Sequence, residues 1–409
     1  METTEVTCPA GTVLGTVNAG VRHFHSIPVV KIDGPFDDPR PQEHGLLIDA
    51  TSPRPGHPHL SITTPAPAPS GGDLPVLVWV HGGGFETGDH TETFSNPDGF
   101  AREDVVHVRV GYRLKFSGFA QFSGDAPSHY RGVADVAEAL AWVQRNIEAF
   151  GGDPTNVTLM GQSAGAAIVL WLCRRDHYKG EFRRALAMSP AFPRRGFEAR
   201  KWAVRGALGT PVTRGELSKL SPEKLERGYT RFSRHFPTDI KLGPHPLDPA
   251  EMAEVPLVLT CTDEEFYSQG AALDRSRRVA GAFVRIAGRS MGLRKGAGGD
   301  YVASISNEAP VAGRFLTDAL SRRFVDAVAE GAPGPVWVAE HPGYAHSGDL
   351  EPLFAPDAWL LEYVRTGEVG WPEYEQPDRL AARRRIGGEI EVVADPLGYV
   401  RGLFADPAK

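Results

Sequence analysis

The sequence predicts an α/β fold, with a mostly parallel central sheet and helices on both faces. Three observations carry this expectation. Short runs that are apolar almost throughout, VLVWV (76–80), VVHVRV (105–110), VTLM (157–160), PLVLT (256–260) and PVWVA (335–339), read as strands covered on both sides. Between them the apolar positions take a helical period, most clearly over 132–149, where Val133, Val136, Leu140, Val143 and Ile147 recur at steps of three and four. Strands that alternate with helices join through right-handed crossovers into a parallel sheet.

Taken in chain order, residues 12–32 carry short β-like runs such as TVLGTV and GVRHF, separated by glycines, which predict an N-terminal hairpin or small sheet. Residues 65–72, PAPAPSGG, are Pro/Ala-rich and then Gly-rich, as in a surface connection. The strand–helix rhythm begins after it. Gly151 is the stop signal of the 132–149 helix, and Asp153-Pro154 is expected to turn the chain into the next strand. Residues 194–250 are rich in Arg, Lys, Pro and Gly without a strand pattern, and read as a helical lid between two strands. The polar stretch 272–334 is expected to add helices on the same side. Neither reads as an independent unit, so 1–409 is expected to be one domain with two insertions.

Composition sets outer limits. Of 409 residues, 41% are hydrophobic and 23% charged, which excludes a disordered chain. The 46 glycines and 34 prolines suit a loop-rich enzyme better than a bundle. The longest apolar runs, LPVLVWV (74–80) and AAIVLWLC (166–173), are well short of the roughly 18 residues of a membrane helix. A net charge of −7 argues against a nucleic-acid partner. The opening METTEVTCPAGTV has neither a positive start nor an apolar core, so it does not read as a signal peptide. Cys8, Cys173 and Cys261 are odd in number, far apart and without a CxxC, which argues against a disulfide framework or a zinc site and makes the cytoplasm the default compartment.

Two motifs carry chemistry. Gly161-Gln162-Ser163-Ala164-Gly165 fits the nucleophile-elbow pattern G-x-S-x-G, with VTLM before it as a strand and AAIVLWLC after it as a helix. Ser163 thereby stands at a helix N-terminus, where backbone N–H groups favour developing negative charge. His81-Gly82-Gly83-Gly84-Phe85 directly follows VLVWV and is an HGGG-type oxyanion element. No G-K-[ST] follows it and no GxGxxG opens a helix, so a nucleotide site is a weak reading. His57 and His59 flank a proline on an expected loop, but no third ligand accompanies them, so no metal and no cofactor is expected.

Here the chain resembles the type B carboxylesterases, the cholinesterase-like esterases and lipases of the α/β-hydrolase fold. The resembling segments are TVLGTVNAGVRHFHSIP, LPVLVWVHGGGFETG, GYRLKFSGF, VQRNIEAFGGDPTNVTLMGQSAGA and RTGEVGWPEY, from about residue 11 to the end, diluted over 194–250 and 272–334. The chain is shorter than a typical member, and the shortfall falls in those two regions. The resemblance implies the order Ser, Glu, His. Ser163 is the nucleophile. VPLVLTCTDEEFYS resembles the family's acid segment and puts Glu265 in the catalytic place, with Glu264 and Asp263 as fallbacks, because Thr260 and Phe266 stand where the family has glycines. A solvated acidic turn is the plainer alternative. GYAHSGDLEPLF (343–354) resembles the base segment and assigns His346; His341 lies nearby without the matching downstream context.

In that scheme His346 takes the Ser163 proton and later returns it to the leaving alcohol, Glu265 holds the imidazole, and the N–H groups of Gly83, Gly84 and Ala164 hold the oxyanion. Many family members carry Glu where this chain has Gln162, so no strong attraction for cationic choline-type esters is expected. Phe85, Phe119 and Phe122 are candidates for an acyl or alcohol pocket, against the plainer reading of core packing. The expected activity is hydrolysis of neutral, partly apolar small-molecule esters through an acyl-enzyme. Acyl transfer, lyase or cyclase chemistry at the same residues, and a catalytically silent binding protein, are the alternatives.

Overall fold

The computed structural model describes residues 2–42, 45–56, 58–67, 72–306, 308–355 and 357–406. His57 and residues 68–71 of the Pro/Ala/Gly stretch lie outside the described residues. Among the described residues the main sheet has thirteen strands. We number them β1 (Glu2–Cys8), β2 (Gly11–Asn18), β3 (Val21–Pro28), β4 (Leu46–Asp49), β5 (His59–Pro65), β6 (Leu74–Val80), β7 (Val106–Val110), β8 (Gly152–Gln162), β9 (Arg184–Met188), β10 (Leu257–Thr262), β11 (Val336–His341), β12 (Leu380–Arg383) and β13 (Glu391–Ala394). Their spatial order is β1-β2-β3-β5-β7-β6-β8-β9-β10-β11-β12-β13, with β4 beside β2.

From β7 through β6, β8, β9, β10, β11 to β12 every neighbouring pair is parallel. The expected N-terminal hairpin forms, but it is no separate small sheet. β5 pairs antiparallel with both β3 and β7, so β1–β3 extend the main sheet without a break.

The sheet is covered on both faces, as continuous apolar strands require. Side chains alternate along a strand, and in β6 Val76, Val78 and Val80 enter one hydrophobic cluster while Leu77 and Trp79 enter another. The first cluster also contains Val133, Val136, Leu140 and Val143 of the helix Arg131–Asn146. The second contains Leu360, Leu361 and Val364 of the helix Ala358–Thr366.

The 132–149 helix starts one residue early and is α-helical only to Asn146. Ile147–Phe150 tighten into a 3-10 turn before Gly151, whose φ of 94° ends the segment as expected. Asp153-Pro154 is not a turn: it lies inside β8, at an irregularity between Gly152 and Val157. The region 194–250 is helical, with Lys201–Leu208, Arg214–Leu217 and Pro222–Ser233. Residues 272–334 are helical too, and Ala280, Val284, Tyr301, Phe315 and Ala319 form a third cluster with Val400 and Phe404 near the chain end.

Candidate active site

The sequence-predicted residues converge at the carboxyl ends of parallel strands, where ligands meet open α/β sheets. The His81–Gly84 segment leaves β6, Ser163 leaves β8, Glu265 follows β10 and His346 follows β11. The order of the strands in the sheet therefore gathers side chains that are far apart in sequence.

At the elbow, Ser163 has φ 56° and ψ −116°, a conformation uncommon for a residue with a side chain. It is held from several sides. Ser163 N–H donates to Met188 O at 2.9 Å, and Ser163 O accepts from Ala167 N at 3.0 Å. Gly165 lets the helix Ala164–Leu172 approach the sheet, since a Cβ there would stand 2.1 Å from Val80 O. The outcome is a serine that is 5% exposed with its hydroxyl turned to the imidazole.

Ser163 Oγ lies 3.0 Å from His346 Nε2. On the opposite side of the ring, His346 Nδ1 hydrogen-bonds Glu265 Oε2. That contact places a proton on Nδ1 and leaves the Nε2 lone pair facing the serine. Glu265 is 1% exposed, and its other oxygen accepts from Thr262 N–H at 3.0 Å. Burial alone raises a carboxyl pKa, but the facing His346, with the Ser189 side chain and the Thr262 N–H, holds this one below its ordinary value. Burial likewise disfavours a charged imidazole, yet Glu265 and, less strongly, Asp349 carry His346 above its ordinary value. The backbone repeats the pairing, with His346 N–H donating to Glu265 O at 3.0 Å.

Of the fallback acids, Asp263 binds elsewhere through its side chain and Glu264 is held through its main chain. Asp263 Oδ1 accepts from Gly343 N–H at 2.7 Å, and Glu264 N–H donates to Tyr344 O at 3.2 Å. His341 is buried against Asp349 at 2.7 Å and does not meet the serine.

Gly83 and Gly84 adopt φ of +94° and +63°. A Cβ on Gly83 would lie 2.2 Å from Thr87 O, so the turn admits no other residue at that position. Their N–H groups have no backbone acceptor among the described residues. Ala164 is the first residue of its helix, so its N–H has no intrahelical partner.

The three phenylalanines sit in the core. Phe85 and Phe119 are fully buried with ring centroids 4.5 Å apart. Phe122 packs edge-on against Phe36 and beneath the guanidinium of Arg131. A 430 Å³ cavity next to the serine is bordered instead by Gly82, Gly83, Phe94, Gln162, Ser347 and Leu350.

Two contacts on His346 escaped sequence reasoning. Gln162 Nε2 lies 3.2 Å from His346 Nε2, beside the serine hydroxyl. The Phe266 ring stacks on the imidazole, with centroids 4.9 Å apart and planes 27° from parallel. Both positions were marked only as departures from the family pattern, and that was the available signal.

The Carboxylesterase family model matches residues 59–205. The chain is 35% identical over 212 residues to the para-nitrobenzyl esterase of Bacillus subtilis, covering 46% of this chain and 43% of that protein. It is 36% identical over 170 residues to the phenmedipham hydrolase of Pseudarthrobacter oxydans, covering 41% and 34%. The chain thus spans less than half the length of these curated relatives. A crystal structure of a Geobacillus stearothermophilus carboxylesterase superposes with a TM-score of 0.81 at 25% identity, over 98% of this chain and 99% of the other. Juvenile hormone esterase from Manduca sexta superposes with a TM-score of 0.76 at 21% identity, over 98% of each chain, a likeness of fold alone. The matched segment runs from β5 through the elbow and its helix, and around it the chain has the sheet of the α/β-hydrolase fold seen in these carboxylesterases.

Proposed function

We propose that the protein is a serine carboxylesterase that hydrolyses small carboxylic esters through an acyl-enzyme. The observation that carries this reading is the 3.0 Å contact between Ser163 Oγ and an imidazole whose other nitrogen is held by Glu265. In the acylation step His346 Nε2 takes the hydroxyl proton while Oγ attacks the ester carbonyl, and the imidazolium is stabilised by the buried Glu265 carboxylate. The N–H groups of Gly83, Gly84 and Ala164 hold the oxyanion, and losing one such donor typically costs about 2.7–4 kcal/mol of transition-state stabilisation. His346 then gives its proton to the leaving alcohol. Water repeats the sequence in reverse on the acyl-enzyme and frees the acid.

Around the reacting carbon the substrate is neutral and partly apolar. Gln162 presents an amide, not a carboxylate, beside the base, so choline esters gain no extra charge attraction. A strong preference for a choline ester over its neutral analogue would contradict this. We read residues 1–409 as one domain with the two insertions, and place it in the cytoplasm, where free thiols such as Cys8, Cys173 and Cys261 persist. No helix among the described residues is long and apolar enough to cross a membrane.

Labelling with a fluorophosphonate, read by peptide mass spectrometry, tests the reading without a guess at the substrate. One stoichiometric adduct on Ser163 that disappears in His346→Ala is the expected result. Folded protein that takes no label would remove hydrolase from consideration.

A further inference from the structure

Away from the Ser163–His346 pair, one buried cation has no evident structural use. Arg323 opens the helix Arg323–Gly331 and is 8% exposed. Among the described residues its guanidinium makes no hydrogen bond or ion pair, and its Nε is buried without a partner. It lies over the neighbouring Phe324 ring, with Cζ 4.6 Å from the centroid. Gly292 makes room for it: a Cβ there would fall 2.0 Å from one guanidinium nitrogen. Burial, and then the nearby Arg194, lowers its pKa to about 10, with Asp239 opposing, so it stays charged at neutral pH.

The surroundings do not supply the missing anion. Arg323 borders a 350 Å³ cavity together with Phe192, Arg194, His245, Arg289 and Asp406. Asp239, the acid nearest this wall, is divided between Arg194 at 3.2 Å and Arg200 at 2.6 Å. A second cavity bordered by Arg323 holds Asp248, Asp326, Glu330 and Asp406; Arg401 binds Asp326 and Glu330 at 2.8 Å and 3.0 Å, and Asp248 accepts from Ala250 N–H at 3.0 Å. With Arg194 paired to Asp239, the first cavity carries Arg289 and Arg323 together with the carboxylate of Asp406. A buried cation left in this state is unfavourable unless a ligand completes it.

One wall of the cavity is a single residue away from a main-chain contact of the elbow. Ala191 N–H approaches Ser163 O at 3.4 Å, and the next residue, Phe192, forms the cavity wall with its ring 5.2 Å from that of Phe324.

We propose that Arg323, with Arg289 beside it, binds a carboxylate at the far end of the ester substrate, so that the enzyme prefers hemiesters of dicarboxylic acids. The guanidinium fork matches a carboxylate in two parallel hydrogen bonds. The inference rests on the esterase reading: water is added across the ester C–O bond at Ser163, releasing the alcohol and a dicarboxylate. The neutral character argued above belongs to the reacting end, and the charge sits at the other.

The test compares kcat/KM for monoethyl adipate and diethyl adipate by pH-stat titration, and measures adipate binding to Ser163→Ala by calorimetry. The expected result is at least a ten-fold preference for the monoester, lost in Arg323→Gln and reduced in Arg289→Ala, with adipate binding that both substitutions weaken. If Arg323→Gln does not fold, the substrate pair on the unmodified enzyme and the Arg289→Ala titration decide. A preference for the diester, or adipate binding without a monoester preference, overturns the substrate assignment. Binding of inorganic phosphate in place of adipate overturns the carboxylate. No hydrolysis of either ester and no fluorophosphonate label would instead defeat the esterase reading, while calorimetry on Ser163→Ala still judges the anion site by itself.

Discussion

Replacing Gln162 by Glu sets a carboxylate against the imidazole of His346. The Gln162 amide nitrogen lies 3.2 Å from His346 Nε2, and the side chain is 3% exposed. At that separation a unit charge pair interacts by about 5 kcal/mol for an effective dielectric constant of roughly 20. This is a ceiling, because the new carboxyl resists ionisation where it is buried and Glu265 already holds the other side of the ring. A quarter to a half of it is about 1.3–2.6 kcal/mol, or about one to two pKa units.

The direction is fixed by the chemistry. His346 works as a base only when neutral, and its pKa already stands above 6.5, burial being outweighed by Glu265 and Asp349. Activity therefore falls as pH drops through that raised value, and Gln162→Glu moves the acid limb of kcat/KM to higher pH by about one to two units. The assay is a pH–rate profile on a neutral ester, with Gln162→Leu as the uncharged control, whose limb rises less than that of Gln162→Glu because only the amide's preference for the neutral ring is lost. An acid limb for Gln162→Glu within about 0.3 unit of the parent would refute the reasoning, since a shift that small is under half a kcal/mol.

Other substitutions follow from the same geometry. Gly83→Ala places a Cβ 2.2 Å from Thr87 O at a φ of +94°, and kcat should fall about 10²–10³-fold through loss of a donor; a fall of less than about ten-fold would argue that Gly83 is not such a donor. Phe266→Leu removes the ring stacked on His346, and kcat should drop by about three- to ten-fold, with KM little changed, for roughly 1 kcal/mol of lost ring contact. Asp135→Ala leaves Arg113 buried after losing contacts of 2.9 Å and 2.8 Å from its guanidinium, and should cost about 3–5 kcal/mol in urea unfolding. A loss below about 1 kcal/mol there would mean that water or another acid replaces the carboxylate.

The strands bearing the candidate site were legible because each is a short apolar run ending in a chemically marked segment. VLVWV into HGGG and VTLM into GQSAG are both seen where expected, at β6 and β8. Strands that bear no chemistry were harder to see. β9, RALAM, opens with an arginine that reads as surface, yet Arg184 is buried because its guanidinium reaches Asn156, Thr158 and the Val364 carbonyl. β1, ETTEVTC, is polar at its outward positions and is made a strand by pairing with β2 along its whole length. The register of the acid segment stayed open across 263–265 because Thr260 and Phe266 stand where the resembling pattern has glycines. In the structure Asp263 accepts from Gly343 N–H, Glu264 pairs through its main chain with Tyr344, and Glu265 is the acid that meets His346.

Two departures of this chain from the type B carboxylesterase pattern, Gln162 and Phe266, meet on one ring. Gln162 meets the imidazole at its edge and Phe266 covers its face. Their effects on the charged form oppose each other. An amide N–H aimed at Nε2 favours the neutral ring, because the imidazolium would offer it a second donor. An aromatic face favours the cation by roughly 0.5–1 kcal/mol or more. A residue that restores the family's charge at 162 and one that restores its glycine at 266 should therefore move the His346 pKa in opposite directions. Gln162→Glu raises it and Phe266→Gly lowers it. Because both touch the same group, the double variant should depart from additivity by at least about 0.5 kcal/mol, or about 0.4 pKa unit. Strict additivity in the acid limbs of the four proteins would mean that the two side chains do not act through His346 together.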